Sequence, residues 1–570
     1  MKCGTLTGSR TWPLAVAILL AGNAHAGTFV VDATVDAVDA NPGDGVCATA
    51  EGDCTLRAAV METNHLAGAD TIFLPEGIYV LTLEGRLERD GATGDLDVFD
   101  DLTIRGAGSD RTIVDANRID RAFIHVNPQR FQGADPPPIE VRYHDLTIRD
   151  GYADASDPMG GCIALNGTVK LLLRRTVVRG CEAAGMGGGI GLGSPISVES
   201  SGPAGSPRTL QAKFNDFGDF VDQSVLLLDQ SSVLENQSGD GGGGIAVVNQ
   251  DGDQVTIVDS VIADNSDAST LGGGGILVAA NARHTNDGFN FVVEGSEFSG
   301  NSTGGFGGAI RYSPRAPSNS IVVHQGYRGI FQGLDLVGNT AALGGGGIAA
   351  SSATDLSIGR SLISDNATDG EGGGLLLNGR AKIADSEIRG NTALLYGAGV
   401  EGTDASRLTL ERVAVTENMS AGTGGGVLAL GAADVFNTTV STNSAAVGGG
   451  IRNFALDDAD GGDVYLANVT LAANTSGGGA DLSAGANGAA ILVRNSIVDS
   501  GAVACSGLVV SLGHNIASDG SCDFVDATDL ASTDAMLLAL ADNGGPTRTH
   551  ALETGSPAID AGAAEDCAET

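Results

Sequence analysis

Hydrophobic positions along this chain recur in a fixed relation to asparagine and glycine. An apolar residue is followed three positions later by Asn, then by a glycine run that ends on an aliphatic residue. Val233, Asn236, Gly241–Gly244 and Ile245 form one copy; Phe298, Asn301, Gly307-Gly308-Ala309 and Ile310 form another. The column runs through Asn236, Asn265, Asn301, Asn339, Asn366, Asn391, Asn418 and Asn443, with a weaker copy at Asn474. Successive Asn lie 29, 36, 38, 27, 25, 27, 25 and 31 residues apart. An interval of 25 is too short for a βαβ unit of about 30 residues or more. Between the Asn, apolar residues alternate with period two, as in Leu408-Leu410 and Val413-Val415, which is the strand signal. Three short strands and their turns per period predict one coil of a parallel β-helix. The longer intervals are then coils that carry loops.

Each slot has a physical reading. The apolar residue points into the core. Asn tolerates the left-handed conformation of a tight corner, and stacked Asn side chains can hydrogen-bond along the rod. Glycine supplies positive φ and close backbone approach. Upstream, Cys181 occupies an Asn slot and Cys162 the Gly slot of the preceding coil. Segments near 194–225 and 311–330 break the rhythm and read as insertions. Fourteen to sixteen coils at about 4.8 Å each predict a rod of roughly 70 Å.

The first 26 residues read as a signal peptide. Lys2 and Arg10 precede an apolar run, Trp12 to Ala21, and Ala24-His25-Ala26 is a small-x-small cleavage pattern. That run is too short to span a bilayer. Export permits disulfides. Without Cys3, seven cysteines remain. Cys47–Cys54 and Cys505–Cys522 are the near pairs. Cys162–Cys181 is a third candidate, although the two occupy different slots and stacking alone does not bring their sulfurs together. Cys567 is left over, which predicts that the chain is a truncated form of something longer.

Composition narrows the function. The 570 residues hold 31 Lys+Arg against 70 Asp+Glu, a formal charge of −39. That sign opposes nucleic acid and anionic lipid. Glycine numbers 87, aromatic residues are 4% and apolar residues 42%, so the chain is not a disordered acidic polymer.

A β-helix needs covered ends. Thr55 to His65 predicts a short amphipathic helix with Leu56, Ala59 and Val60 on one face. Thr71 to Leu81 then reads as the first coil. Cys54-Thr55-Leu56-Arg57-Ala58-Ala59, with Cys47 before it and Phe73-Leu74-Pro75-Glu76-Gly77-Ile78-Tyr79 after it, resembles the CSLREA domain of exported bacterial proteins. Thr55 stands where that motif has Ser, and Ala58 where it has Glu. Ala541-Asp542-Asn543-Gly544-Gly545-Pro546 through Leu552, followed by Gly555-Ser556-Pro557-Ala558-Ile559-Asp560-Ala561-Gly562, is similar to the choice-of-anchor Q domain. The copy around Asn301 resembles the repeats of polymorphic outer membrane proteins. Together these imply an all-β, right-handed parallel β-helix of the pectin-lyase-like kind, exported and held at the cell surface. Such families usually continue to another Cys and a sorting anchor, neither of which this chain contains. The expected organisation is a signal peptide (1–26), a CSLREA-like cap (27–70), β-helix repeats (71–500) and a choice-of-anchor Q-like cap (501–570).

Candidate chemistry is sparse. Asp100-Asp101 and Asp457-Asp458 are carboxylate pairs, and Arg380-Ala381-Lys382 offers bases, but such pairs arise by chance in so acidic a chain. Gly513-His514-Asn515 is the nearest element to a polygalacturonase Gly-His-Gly. Asp32, Asp36, Asp39 and Asp44 are one Ca²⁺ candidate; Asp457, Asp458, Asp460 and Asp463 are a second. Solvated loop carboxylates are the plainer account of both. The histidines lack zinc spacing. His550 with Asp542 and Asp560 could suggest a triad, but no Gly-x-Ser-x-Gly elbow supplies its nucleophile. The expectation is a non-catalytic exported scaffold for adhesion or glycan contact, monomeric, without a resident cofactor. The alternative is a Ca²⁺-dependent lyase or glycoside hydrolase acting on acidic polysaccharide, and carboxylates from three neighbouring coils meeting a basic residue in a groove would distinguish it.

Overall fold

The computed structural model describes residues 26–563 apart from 128–136, 194–196, 199–211, 214–223, 249–253, 280–289, 315–326, 353, 455–461, 486–489 and 502. Residues 1–25 of the expected signal peptide, and Cys567, lie outside the described residues. The chain winds as a right-handed parallel β-helix, as expected. One coil shows the path. Val169–Arg174 belongs to a 16-stranded parallel sheet, here sheet A, and Val177–Arg179 to a 15-stranded sheet B. Glu182–Ala183 joins a minor sheet of nine two-residue strands, and Ile190–Gly193 joins a 14-stranded sheet C. Sixteen strands at about 4.8 Å match the expected length.

Alternation builds the core. In Val225–Asp229, Leu226 and Leu228 are fully buried while their neighbours are partly exposed. Such inward residues stack in register, Leu171 on Leu226 and Leu226 on Val255, into one apolar column from Val31 to Phe524. Each fully buried aliphatic side chain contributes about 1.5–3 kcal/mol.

The Asn column is a continuous hydrogen-bonded ladder. Each Asn donates from its backbone N–H and its side-chain amide to Oδ1 of the next. Asn366, for example, reaches Asn391 Oδ1 at 3.1 and 3.0 Å, and its amide also donates to Leu336 O at 2.9 Å. One expectation about this corner needs correcting. The left-handed residue is not the Asn but the one before it: Glu235, Asp264, Asp365, Glu417, Thr442 and Ala473 all have positive φ, with Gly300, Gly338 and Gly390 in the same slot. The Asn is there for its amide. A second ladder, which the repeat pattern did not reveal, runs between sheets A and B. There Ser231 N donates to Ser260 Oγ and Ser260 N to Ser296 Oγ, both at 3.1 Å.

All three candidate disulfides are formed, Cys47–Cys54, Cys162–Cys181 and Cys505–Cys522. The slot argument against Cys162–Cys181 fails for a geometric reason. In this fold the Gly just before a sheet C strand packs on the Asn of the next coil. A Cβ on Gly189 would lie 3.1 Å from Asn236 Cγ, and one on Gly244 3.0 Å from Asn265 Cγ. Cys162 and Cys181 occupy this same pair of places one coil earlier, with Cα atoms 5.5 Å apart.

The ends differ from a simple cap. The helix Leu56–Thr63 is N-capped by Thr55, whose Oγ1 accepts from Ala58 N at 3.1 Å. It is buried all round rather than on one face. Arg57 ties its far side to loops, through Asp36 at 2.6 Å and the Gly91 and Gly94 carbonyls at 2.8 and 2.9 Å. The sheets also reach past the expected limits: Thr28–Val30 pairs with residues 71–73, and Ile516–Ala517 ends sheet B. At the other terminus, an antiparallel hairpin (Leu537–Ala541 with Thr549–Leu552) folds back along sheet B. Arg548 N donates to Glu387 Oε1 at 3.2 Å, and its guanidinium to Thr416 Oγ1 at 2.9 Å. Of the expected insertions, 197–198 pairs antiparallel with 212–213. Residues 225, 311–312 and 327–330 belong to sheets A and C, and most of the remainder lies outside the described residues.

Candidate functional site

Asp32, Asp36, Asp39 and Asp44 form no metal-holding group among the described residues. Asp32 accepts from Cys54 N, Asp39 from Asn41 N and Ala48 N, and Asp44 from Val46 N, all between 2.8 and 3.0 Å. Asp36 serves Arg57 and the backbone N–H groups of Thr82 and Leu83. These carboxylates order the N-terminal loop. In the second set, Asp463 accepts from Ala490 N at 3.0 Å, while Asp457, Asp458 and Asp460 lie outside the described residues. Among the described residues, no group of three or more His, Cys, Asp or Glu is arranged to hold a metal ion. Asp100 and Asp101 accept from Asp101 N and Glu140 N. Lys382 pairs with Glu411 across one coil step at 2.7 Å, on the outer face of sheet A beside Arg380.

The histidine motifs are structural ties. His514 Nδ1 meets Ala561 O at 3.0 Å. His550 meets Leu538 O at 2.7 Å through Nδ1 and Ser441 Oγ at 2.9 Å through Nε2, while Asp542 accepts from Gly544 N. The imidazole therefore has a serine but no carboxylate, and the serine is fully buried beneath the hairpin. No nucleophile is presented to solvent there.

One cluster does gather carboxylates from three successive coils on a base, and sequence spacing did not reveal it. Asp95, Asp120 and Asp157 precede the sheet C strands Leu96–Val98, Phe123–Val126 and Ile163–Asn166. Stacking brings Asp95 and Asp157 to Arg121, at 3.1 and 2.8 Å, and its chain neighbour Asp120 lies 3.9 Å away. Arg86 joins from a loop, 3.6 Å from Asp120 and 3.4 Å from Asp154, with its guanidinium 5.4 Å from the Tyr152 ring centroid. Burial raises the carboxyls of Asp95 and Asp120, and the Arg121 charge opposes that rise. Neighbouring Asp97 is pushed up to about 8, first by burial and then by the Asp95 and Glu88 charges. One of its oxygens has no hydrogen-bond partner. The centre is closed: the side chains of Asp95, Asp120 and Arg121 are 8%, 3% and 4% exposed. Only the rim formed by Arg86, Asp154 and Asp157 reaches solvent. Arranged so, the carboxylates neutralise Arg121 and bind three coils and a loop together.

The chain matches no family model and no curated protein. Among solved structures it is similar to the A-module of a mannuronan C-5 epimerase from Azotobacter vinelandii, at 13% identity over 81% of this chain and 94% of that one, with a TM-score of 0.24. It is similar to the catalytic unit of a GH87 α-1,3-glucanase from Streptomyces thermodiastaticus, at 15% identity over 87% and 70%, with a TM-score of 0.27. It is also similar to pectate lyase Pel9A, at 11% identity over 94% and 91%, with a TM-score of 0.23. These scores carry no weight about activity, and the fold rests on the strand register itself.

Proposed function

We propose that this chain is an exported β-helix scaffold that contacts a surface glycan, or another cell-surface component, without transforming it. The carrying observation is the closed state of the cluster around Arg121, the one place among the described residues where carboxylates from three coils meet a base. A group that acts on polymer must reach the polymer. Asp95 and Asp120 are instead sealed and ion-paired. The three disulfides fit an oxidising, extracellular setting, and among the described residues no helix is long and apolar enough to cross a membrane. The CSLREA-like and choice-of-anchor Q-like ends, and the likeness of the repeats to those of polymorphic outer membrane proteins, belong to this proposal. So do the four-part organisation and a monomeric state. The test is incubation of the mature protein with pectic and uronic polymers, with and without Ca²⁺. No unsaturated or reducing ends are expected; their release would overturn the reading.

A second reading, a lyase or hydrolase of acidic polysaccharide, is favoured by the same cluster, because it holds carboxyls that burial makes harder to ionise beside a guanidinium. It requires Asp95→Asn and Asp157→Asn to abolish any release of ends. Cleavage that survives both substitutions would remove the cluster from that role.

A further inference from the structure

We infer that the outer face of sheet A, near the N-terminal end of the rod, binds the carboxylate of an acidic glycan through a column made of Phe73, Arg105, His144 and Arg174. The inference rests on the glycan-contacting reading above and gives it a place.

The four residues are direct neighbours in register. Phe73 pairs with Arg105, Arg105 with His144, and His144 with Arg174. Three basic side chains are thus stacked on adjacent coils of a chain with 31 Lys+Arg against 70 Asp+Glu. Arg105 and Arg174 are permanent cations on either side of the imidazole, and an anion placed between them would be attracted by both. Two further cations are already committed nearby: Arg142 pairs with Glu140, and Arg175 with Asp145 at 2.6 Å. Arg174 is held from the far side by Asp229, at 3.2 Å. Arg105 is exposed and makes no ion pair or hydrogen bond among the described residues.

His144 supplies the second, independent observation. It is only 6% exposed, yet its Nε2 has no hydrogen-bond partner. Burial first, and then Arg105 with smaller effects from Arg175 and Arg174, hold its imidazole below the usual value against the opposing pull of Asp145. Asp145, which also interacts with Arg105 and Arg175, is the carboxylate that faces this group of cations. At physiological salt, charges farther away than about 8 Å are largely screened, so acid elsewhere on the rod does little here. A carboxylate would pair with the exposed Arg105 guanidinium, whose geometry favours paired hydrogen bonds, and would reach the buried His144 Nε2 only when the side chains covering it shift. Phe73, 41% exposed at the end of the column, offers an apolar ring face. Three steps of about 4.8 Å make the column about 14 Å long, room for an oligosaccharide lying along the rod axis.

The test is calorimetric titration of the mature protein with a galacturonate oligomer and with a neutral galactose oligomer of equal length, at physiological salt. The acidic oligomer is expected to bind and the neutral one not. Arg105→Ala and Arg174→Ala should each weaken binding about tenfold or more, whereas Arg380→Ala, far along the same sheet, should leave it unchanged. In the wild type, the His144 ring resonances should shift during the titration. Equal binding of both oligomers, no binding of either, or full affinity in both Arg105→Ala and Arg174→Ala overturns the site. Reducing and unsaturated ends are assayed in the same samples. Ends released together with Arg-dependent binding would keep the site and remove the non-catalytic reading. Arg-independent binding without ends would do the reverse.

Discussion

Asn474 closes the Asn ladder on Asp481: its side-chain amide donates to Asp481 Oδ1 at 2.8 Å, and its backbone N–H donates to Ser500 Oγ at the same distance. The polarity of the ladder demands this. Every Asn donates toward the C-terminal end, so the last one needs an acceptor that is not Asn. Burial pushes Asp481 up to about 7, although its bonds from Ser500 and Asn474 oppose the rise. Asp481→Ala should lower stability by about 1–3 kcal/mol, because a buried amide loses its acceptor. Asp481→Asn keeps an acceptor and should lose less. The folded value lies above the unfolded value near 3.9. The Asp481 contribution is therefore complete below about pH 4 and is lost as pH rises through about 7. Urea midpoints at pH 5 and pH 8 check this: their difference should shrink in Asp481→Asn, and an unchanged difference would rule the assignment out.

His125 carries the opposite sign. It lies in the core with Nε2 2.7 Å from the Tyr143 hydroxyl and Nδ1 3.1 Å from Ala164 O. The carbonyl takes the Nδ1 proton, so the tyrosine donates to Nε2. Burial pushes the imidazole down to about 4, against the Ala164 bond. Below about pH 6.5 the unfolded chain takes up a proton that the folded one refuses. Stability from this group is present at neutral pH and is lost as pH falls toward 4. Replacing both partners together, His125→Phe with Tyr143→Phe, removes the pair without stranding the hydroxyl. That double variant should show a flatter stability profile between pH 6.5 and 4 than the wild type, read by thermal melting. A profile as steep as the wild type's would exclude His125 as the source.

Two glycines separate backbone strain from crowding. Gly338 has φ +66, and a Cβ built there meets nothing within 4 Å. Gly397 has φ +57, and its Cβ would lie 2.5 Å from Glu401 Cβ and 2.8 Å from Glu401 Oε2. Gly338→Ala should cost about 1–2 kcal/mol, the usual penalty for the left-handed region. Gly397→Ala should cost more, and part of the excess should disappear when Glu401→Ala is added. Equal losses in the two single variants, measured in urea, would show that Glu401 does not crowd this corner.

Legibility followed the length of the repeat. Asn366, Asn391 and Asn418 stand 25 and 27 residues apart, so the coil could be read directly from them. The hydroxyl ladder escaped notice because Leu334, Val413 and Val469 interrupt its serines, donating only their backbone N–H groups to the next coil. Asp95, Arg121 and Asp157 belong to three coils of unequal length, and Arg105 and His144 to two. Which residues face each other there depends on how many residues each turn absorbs, and that number is not written in the spacing. The aspartates near the N-terminus follow a local rule. A carboxylate followed two residues later by a backbone N–H, as in Asp39 with Asn41 or Asp44 with Val46, orders its own turn and needs no cation.

The Cys162–Cys181 bridge offers the sharpest test of the coil geometry. It occupies the places that Gly and Asn fill in the following coils, and both cysteines are buried. Replacing both by serine should lower stability by about 2–4 kcal/mol, the usual contribution of a disulfide. Cys162→Gly with Cys181→Asn should recover part of that loss. The Cys181 backbone N–H already donates to Asn236 Oδ1 at 3.0 Å, and the introduced amide would add a second donor to the same oxygen, as Asn236 does to Asn265 Oδ1. The ladder would then start one coil earlier. Non-reducing thermal melts of the three proteins decide the matter. If the Gly/Asn pair is no more stable than the double serine, the two places are not equivalent, and the cystine is a separate device rather than a replacement for the Gly–Asn contact.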